Sequence, residues 1–145
     1  MKNERRMNMK RFLCVLLACL MVTPAFADFA EDFDLFSEMY GIEPLTFIQE
    51  DKTGLNYTCG DVIITYADGS ATVIGKNALD VITVSCCVLQ CFDNNMMNFK
   101  DQRGSLLHAY FMYRKGAENA HSFTNSGINI LIKSYDDYFC IGMGK

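Results

Sequence analysis

The residues of this chain best suited to chemistry are its cysteines, because several of them stand close together. Cys86, Cys87 and Cys91 fall within six positions, whereas Cys59 and Cys140 are far from them in the sequence. A metal site would need further ligands at a recognised spacing, and a redox site would use C-x-x-C, which the chain does not contain. We therefore interpret these thiols as small buried hydrophobic groups. The alternative is a small enzyme or thiol-dependent protein that uses the Cys86/Cys87/Cys91 region.

No other group of residues forms a recognisable catalytic pattern. The chain has two histidines, His108 and His121, and it lacks the nucleophile elbow, the zinc-protease motif and the glycine-rich phosphate loop. Ser105 and His108 would share one side of a helix, but such pairs are common and non-specific. Asp136 and Asp137 occupy a predicted turn, where acids are favoured for backbone reasons. The sequence therefore predicts no catalytic, cofactor-binding or metal-binding residues and favours a protein that is not an enzyme.

The first 27 residues have the order of a bacterial secretory signal peptide. A basic segment precedes the apolar residues 12–22, and Ala25-Phe26-Ala27 supplies a small-x-small cleavage pattern. The apolar run is too short to span a bilayer, which needs about twenty residues. We expect cleavage after Ala27, with Met9 as an alternative start. A lipid anchor at Cys19 and a buried N-terminal helix are the other interpretations.

Cleavage would change the charge more than the length. Residues 28–145 keep eight basic and sixteen acidic residues, a formal net charge of −8 against −4 for the whole chain. Such a surface repels nucleic acid and anionic lipid, so neither is an expected partner. The acids are spread along the chain and predict a solubilising surface. Five cysteines remain, an odd number, so at least one thiol cannot join an internal disulfide.

The first elements after the signal are a helix and a group of strands. Residues 28–41 are predicted to form an amphipathic helix, with an aromatic stripe spaced at three and four residues and Gly41 as its end: Phe29, Phe33, Phe36 and Tyr40. Residues 45–48 would suit a short edge strand. Gly60-Asp61 and Asp68-Gly69 predict two tight turns, and hence a three-stranded meander.

The two turns fix the register of the meander. They pair Cys59 with Val62 and Ala67 with Ser70, which puts most apolar residues on one face. The exceptions are Ile63 and Ile74, which would pair with each other on the polar face.

The rest of the chain reads as helices followed by a hairpin. Residues 77–93 favour a buried helix with Asn77 as N-cap and a narrow polar stripe: Asp80, Thr83, Cys87, Gln90 and Asn94. Residues 105–115 favour a helix, with a strand as the alternative, and residues 94–104 and 117–127 are predicted loops. Residues 128–133 and 138–143 form two strands around Asp136-Asp137. Cys140 would then pair with Lys133, on the face opposite to that of Cys59.

These elements predict a single α+β domain over residues 28–145. An antiparallel sheet of about five strands, made of the meander and the C-terminal hairpin, would pack against the N-terminal helix and one or two central helices. The expected function is that of a non-catalytic binding module in the periplasm, the cell envelope or the extracellular space. Aromatic residues such as Tyr135 and Tyr138 are predicted mainly to pack in the core, and any that are exposed would suit a protein or glycan partner. A structural envelope component is a further alternative, and neither the oligomeric state nor any disulfide pairing follows from the sequence.

Overall fold

A computed structural model describes residues 24–93, 99–116, 120–125 and 127–145. The predicted export signal lies outside these ranges except for its last four residues. The chain divides into two compact units, Met1–Asp32 and Phe33–Lys145. The second unit contains all the strands described below, and the described part of the first is the beginning of one helix.

Three helices and seven strands make up the described fold. The helices are α1 (Pro24–Tyr40), α2 (Ala78–Asp93) and α3 (Phe99–Gly116). The strands are β1 (Thr46–Asp51), β2 (Gly54–Cys59), β3 (Val62–Ala67), β4 (Ser70–Gly75), β5 (Ala120–Asn125), β6 (Ile128–Tyr135) and β7 (Tyr138–Gly144). All seven belong to one antiparallel sheet in the order β1-β2-β3-β4-β7-β6-β5. The predicted α+β class is confirmed, but the sheet has seven strands, because β1 and β5 extend it at its two edges.

The predicted meander is confirmed in its register. Cys59 pairs with Val62, and Ala67 pairs with Ser70. Leu55, Tyr57 and Ile64 consequently face the core and are buried. Ile63 pairs with Ile74 on the opposite face. Gly60 has φ 59°, a value that suits the first central residue of the predicted turn.

Helix α2 covers the core face of the central strands, and its start is capped as predicted. The side-chain oxygen of Asn77 accepts hydrogen bonds from the backbone N–H groups of Leu79 and Asp80, at 3.0 and 3.3 Å. The predicted polar stripe is wrong in its second half, since Cys87 and Gln90 are fully buried. Helix α3 packs against α2 there. Asn94, the last residue of the stripe, lies outside the described residues.

The two predicted loops contain regular structure. Helix α3 confirms the helix at residues 105–115 but begins at Phe99, inside the predicted loop 94–104. Its start is stabilised by tertiary contact, because the buried Gln102 accepts a hydrogen bond from Gln90 of α2 at 2.9 Å. The other predicted loop, residues 117–127, contains β5, which pairs with β6 along its whole length. Strand β5 has weak alternation of its own and is stabilised by its neighbour.

The closing hairpin agrees with the sequence. Tyr135 pairs with Tyr138, and Lys133 pairs with Cys140. Six apolar side chains of β6 and β7 share the core face and are buried: Ile128, Ile130, Ile132, Phe139, Ile141 and Met143. Asp136 takes a positive φ of 47°, a conformation that aspartate tolerates better than most side chains.

Helix α1 is amphipathic and ends where the sequence indicates. Phe29, Phe33 and Phe36 are buried. The N–H of Ile42 bonds to the carbonyl of Ser37 at 2.8 Å, and Gly41 has φ 67°, so the helix closes in a Schellman motif. In the described stretches, no helix combines the length and the apolar character needed to cross a bilayer.

Candidate functional site

The cysteines occupy separate environments. Cys59 faces the core from β2, Cys86 and Cys87 are buried on α2, and Cys140 is half-buried on the opposite face of the sheet. The thiol of Cys91 donates to the carbonyl of Cys87 at 3.2 Å, one helical turn away. Among the described residues, no pair of cysteines forms a disulfide. The opposite orientation of Cys59 and Cys140 agrees with the predicted register.

Burial keeps the core thiols protonated. Burial, together with the nearby carboxylates of Glu43 and Asp34, raises the pKa of Cys59 to about 11. Burial also raises the pKa of Cys86 to about 12, with the Arg103 guanidinium acting weakly in the other direction. The pKa of Cys87 is raised by burial and by its two cysteine neighbours, Cys86 and Cys59. A nucleophilic cysteine requires the reverse, a lowered pKa beside a cation or a helix N-terminus.

A cavity of about 600 Å³ opens beside Cys59. Its walls come from the segment after α1, the β2–β3 turn and the first turns of α2, and they carry three carboxylates: Glu43, Asp61 and Asp80. The Cys59 thiol donates to the backbone carbonyl of Glu43 at 3.1 Å. Burial, and to a smaller extent the carboxylate of Glu43, keeps this thiol protonated, so the cavity does not contain an activated cysteine nucleophile.

The histidines and the paired acids are not brought together. His108 and Ser105 are both exposed on α3, while His121 lies on β5 with its ring 5.9 Å from that of Phe123. Asp136 and Asp137 lie in the exposed β6–β7 turn. Within the described ranges, no three His, Cys, Asp or Glu side chains are grouped closely enough to hold a metal ion.

A further surface feature is the face of the sheet opposite to the core, which we call the open face. Two rows of adjacent residues cross its centre. One row runs through Ile63, Ile74, Cys140 and Lys133. The next row runs through Thr65, Thr72, Gly142, Leu131 and Ser122. Ile63 on the third strand and Leu131 on the sixth remain 43% and 44% exposed, so the described residues leave both side chains accessible on this face.

The open face carries almost no charge. Within the strands its charged side chains are Lys133 and, at one corner, Asp51, which pairs with Gly54 beside the β1–β2 turn. The other described acids lie on helices, in turns and loops, or on the exposed edge strand β1. The acids are therefore distributed along the sequence but are not distributed evenly in space.

The half of this face between β4 and the β5 edge is also concave. Strand β7 presents Cys140 and Gly142 between the larger side chains of β4 and β6, and a Cβ atom at Gly142 would have no neighbour within 4 Å. A groove of about 700 Å³ crosses four strands at this point and is lined in part by Thr72, Leu131 and Ser122. Sequence reasoning found the polar residues of this face but missed its concavity.

Aromatic side chains border one end of the open face. Tyr135 and Tyr138 are about half exposed, and each has a lysine over its ring: Lys133 lies 4.5 Å from the ring centre of Tyr135, and Lys76 lies 5.9 Å from that of Tyr138. By contrast, Tyr113 of α3 is buried and its hydroxyl lies 2.8 Å from that of Ser134. Two exposed aromatic side chains, Tyr135 and Tyr138, therefore lie together at the end of the open face that is formed by the β6–β7 turn.

Comparison with protein-family models, with curated proteins and with solved structures finds no match for the chain.

Proposed function

We propose that this chain is an exported binding domain that acts without catalysis, and that the open face of the sheet is its contact surface. The observation that carries the proposal is the combination of exposure and neutrality on that face. Ile63 and Leu131, on the third and sixth strands of the sheet, are each more than two-fifths exposed, and Asp51 at one corner is the one acid among the described strand residues of this face. Exposed apolar residues framed by polar ones are typical of protein interaction surfaces.

The chemistry of the surface fits contact with another molecule better than reaction. Threonine, serine and asparagine supply donors and acceptors, and the side chains of the central strands supply apolar contact. The thiol alternative is less well supported, since burial raises the pKa of each of the three core thiols. A reactive thiol would need a much lower pKa at neutral pH.

The experiment is photo-crosslinking in the producing cell. The full chain is expressed with p-benzoylphenylalanine in place of Thr72, which is exposed at the centre of the open face, or in place of Ser105, which is exposed on α3. Both positions are exposed to solvent, so they differ only in the surface of the protein on which they lie. Location is tested in the same cells by fractionation and by N-terminal sequencing of the recovered protein.

We expect a discrete crosslinked band from position 72 and a much weaker one from position 105. Equal crosslinking from both positions, or no crosslinking from position 72 in any fraction, would contradict the open face as the contact surface. Recovery of the protein in the cytoplasm with residues 1–27 attached would contradict export.

A further inference from the structure

We infer that the occupant of the open face is a second copy of this chain, packed sheet to sheet in a twofold-symmetric dimer. This inference rests on the proposed function, because it names the partner of the same surface. Two observations carry it: the distribution of charge around the face, and the size of the face.

Charge restricts where two copies can meet. Residues 28–145 carry a formal net charge of −8, so two copies repel each other over most of their surfaces. Acids also stand in the turns at the ends of the strands, at Asp61, Asp68, Asp136 and Asp137, and all four are exposed. The interior of the open face allows two copies to approach without placing acids opposite acids, because its described strand residues carry one acid, Asp51, at a corner. A twofold axis then keeps the acids of the rim in solvent on both copies.

The area of the face is close to the area that a dimer requires. Seven strands about 4.8 Å apart and about 20 Å long cover roughly 600 Å² in projection, and the accessible area is larger because side chains roughen the surface. A stable interface buries about 800 Å² per partner, so the contact must use nearly the whole face. Two sheets with the same right-handed twist pack face to face with their strands about 30° apart.

The shape of the open face also favours a sheet-to-sheet dimer. The groove over Gly142 has room for a side chain from an opposing sheet, and Leu131 and Ile74 stand beside it on the neighbouring strands. Strand β4 is the fourth of seven, so Thr72 lies close to the symmetry axis in any pairing that uses the whole face. A charge at this position would therefore face the same charge on the other copy.

The first measurement is sedimentation velocity on protein purified from expression of the full chain, over a range of concentrations up to about 100 μM. We expect a species of twice the monomer mass. We also expect dimerisation to strengthen severalfold as salt rises from about 20 to about 300 mM, because salt screens the repulsion between the acidic rims. A partner attracted by the acids would show the opposite salt dependence.

The second measurement uses matched charge variants. Thr72→Glu should weaken dimerisation by at least about tenfold, since it brings like charges together at the axis. Ser105→Glu adds the same charge on α3 and should leave dimerisation unchanged. Mixing Thr72→Glu with Thr72→Lys should restore a mixed dimer, a result that a misfolded variant could not give.

The outcomes separate the partner from the function. A monomer at every concentration, together with a different protein crosslinked at position 72, overturns the dimer but leaves the binding function standing. A dimer that Thr72→Glu does not weaken places the interface elsewhere and overturns the inference. A monomer with no crosslinked product contradicts both proposals.

Discussion

The hydroxyl of Ser85 gives the sharpest test of how the core of this protein is built. Ser85 lies on the buried side of α2 and is fully inaccessible to solvent. Its Oγ atom has no hydrogen-bond partner within the described part of the chain. A serine in a helix commonly donates to a carbonyl one turn earlier, but the Ser85 hydroxyl does not do so. This side chain is therefore a buried polar group whose desolvation is uncompensated.

The expected gain from Ser85→Ala follows from two terms. Removing an unpaired buried hydroxyl relieves a cost of about 1–3 kcal/mol. Alanine also has a higher helix propensity than serine, by a few tenths of a kcal/mol. The lost packing of a single oxygen atom offsets part of this gain. We expect the free energy of unfolding to rise by about 1–2 kcal/mol, with a melting temperature higher by about 4–8 °C.

Ser37 is the matched control. It is also a buried helical serine, but its hydroxyl donates to the carbonyl of Asp34 at 2.8 Å. Ser37→Ala should lower the free energy of unfolding by about 0.5–1 kcal/mol, because it removes a hydrogen bond that is made. Both variants are measured by urea denaturation followed by circular dichroism. Loss of stability in Ser85→Ala equal to that in Ser37→Ala would refute the argument, since it would mean that the Ser85 hydroxyl is paired.

Three further substitutions test the backbone and the thiols. Gly54 has φ 132°, and a Cβ there would overlap the carbonyl oxygen of Tyr66, so Gly54→Ala should destabilise the fold by at least about 2 kcal/mol. Gly104 lies inside α3, and a Cβ atom built there would meet no atom within 4 Å, so Gly104→Ala should stabilise the fold by about 0.5–1 kcal/mol. Both glycine variants are measured by thermal melting. An equal change in melting temperature for the two variants would contradict the placement of both residues. Burial and nearby carboxylates raise the pKa of Cys59 from 9.0 to about 11, so the stability that this thiol contributes below pH 9 should fall by about 2 kcal/mol as pH rises to 11. Urea denaturation at several pH values should show that Cys59→Ser weakens this alkaline loss, whereas an unchanged pH profile would indicate an exposed thiol.

The parts of the fold that could be predicted from the sequence are those governed by local chemistry. Tight turns at Gly60-Asp61 and Asp68-Gly69 leave few registers for the strands that flank them, so the pairing of Cys59 with Val62 followed directly. The amide side chain of Asn77 caps the nearest N–H groups of its own helix. In each case the deciding interaction spans only a few residues.

The parts that were missed depend on distant residues. Strand β5 is short and polar, and it becomes a strand because β6 provides hydrogen-bond partners along its whole length. Gln90 looked like a solvent-facing residue, but α3 covers it and Gln102 satisfies its amide. A polar side chain in a periodic pattern indicates exposure only if no other element supplies it with a partner.

Part of the open face could have been predicted from the sequence. Once the turns fix the register, the outward residues of the meander are Asn56, Thr58, Thr65, Ser70 and Thr72, with Ile63 and Ile74 among them. Natural sheets often carry charged side chains, lysine above all, on their exposed edges, where these discourage association. The lack of any acid among these positions, in so acidic a chain, was already readable from the sequence. The groove over Gly142 was not, because it requires the pairing of β4 with β7, two strands separated by both central helices. The neutrality of the face thus follows from the alternation of inward and outward residues along each strand, which is local in the sequence. Its concavity arises only when the whole sheet is assembled. A sheet-to-sheet dimer depends on both properties.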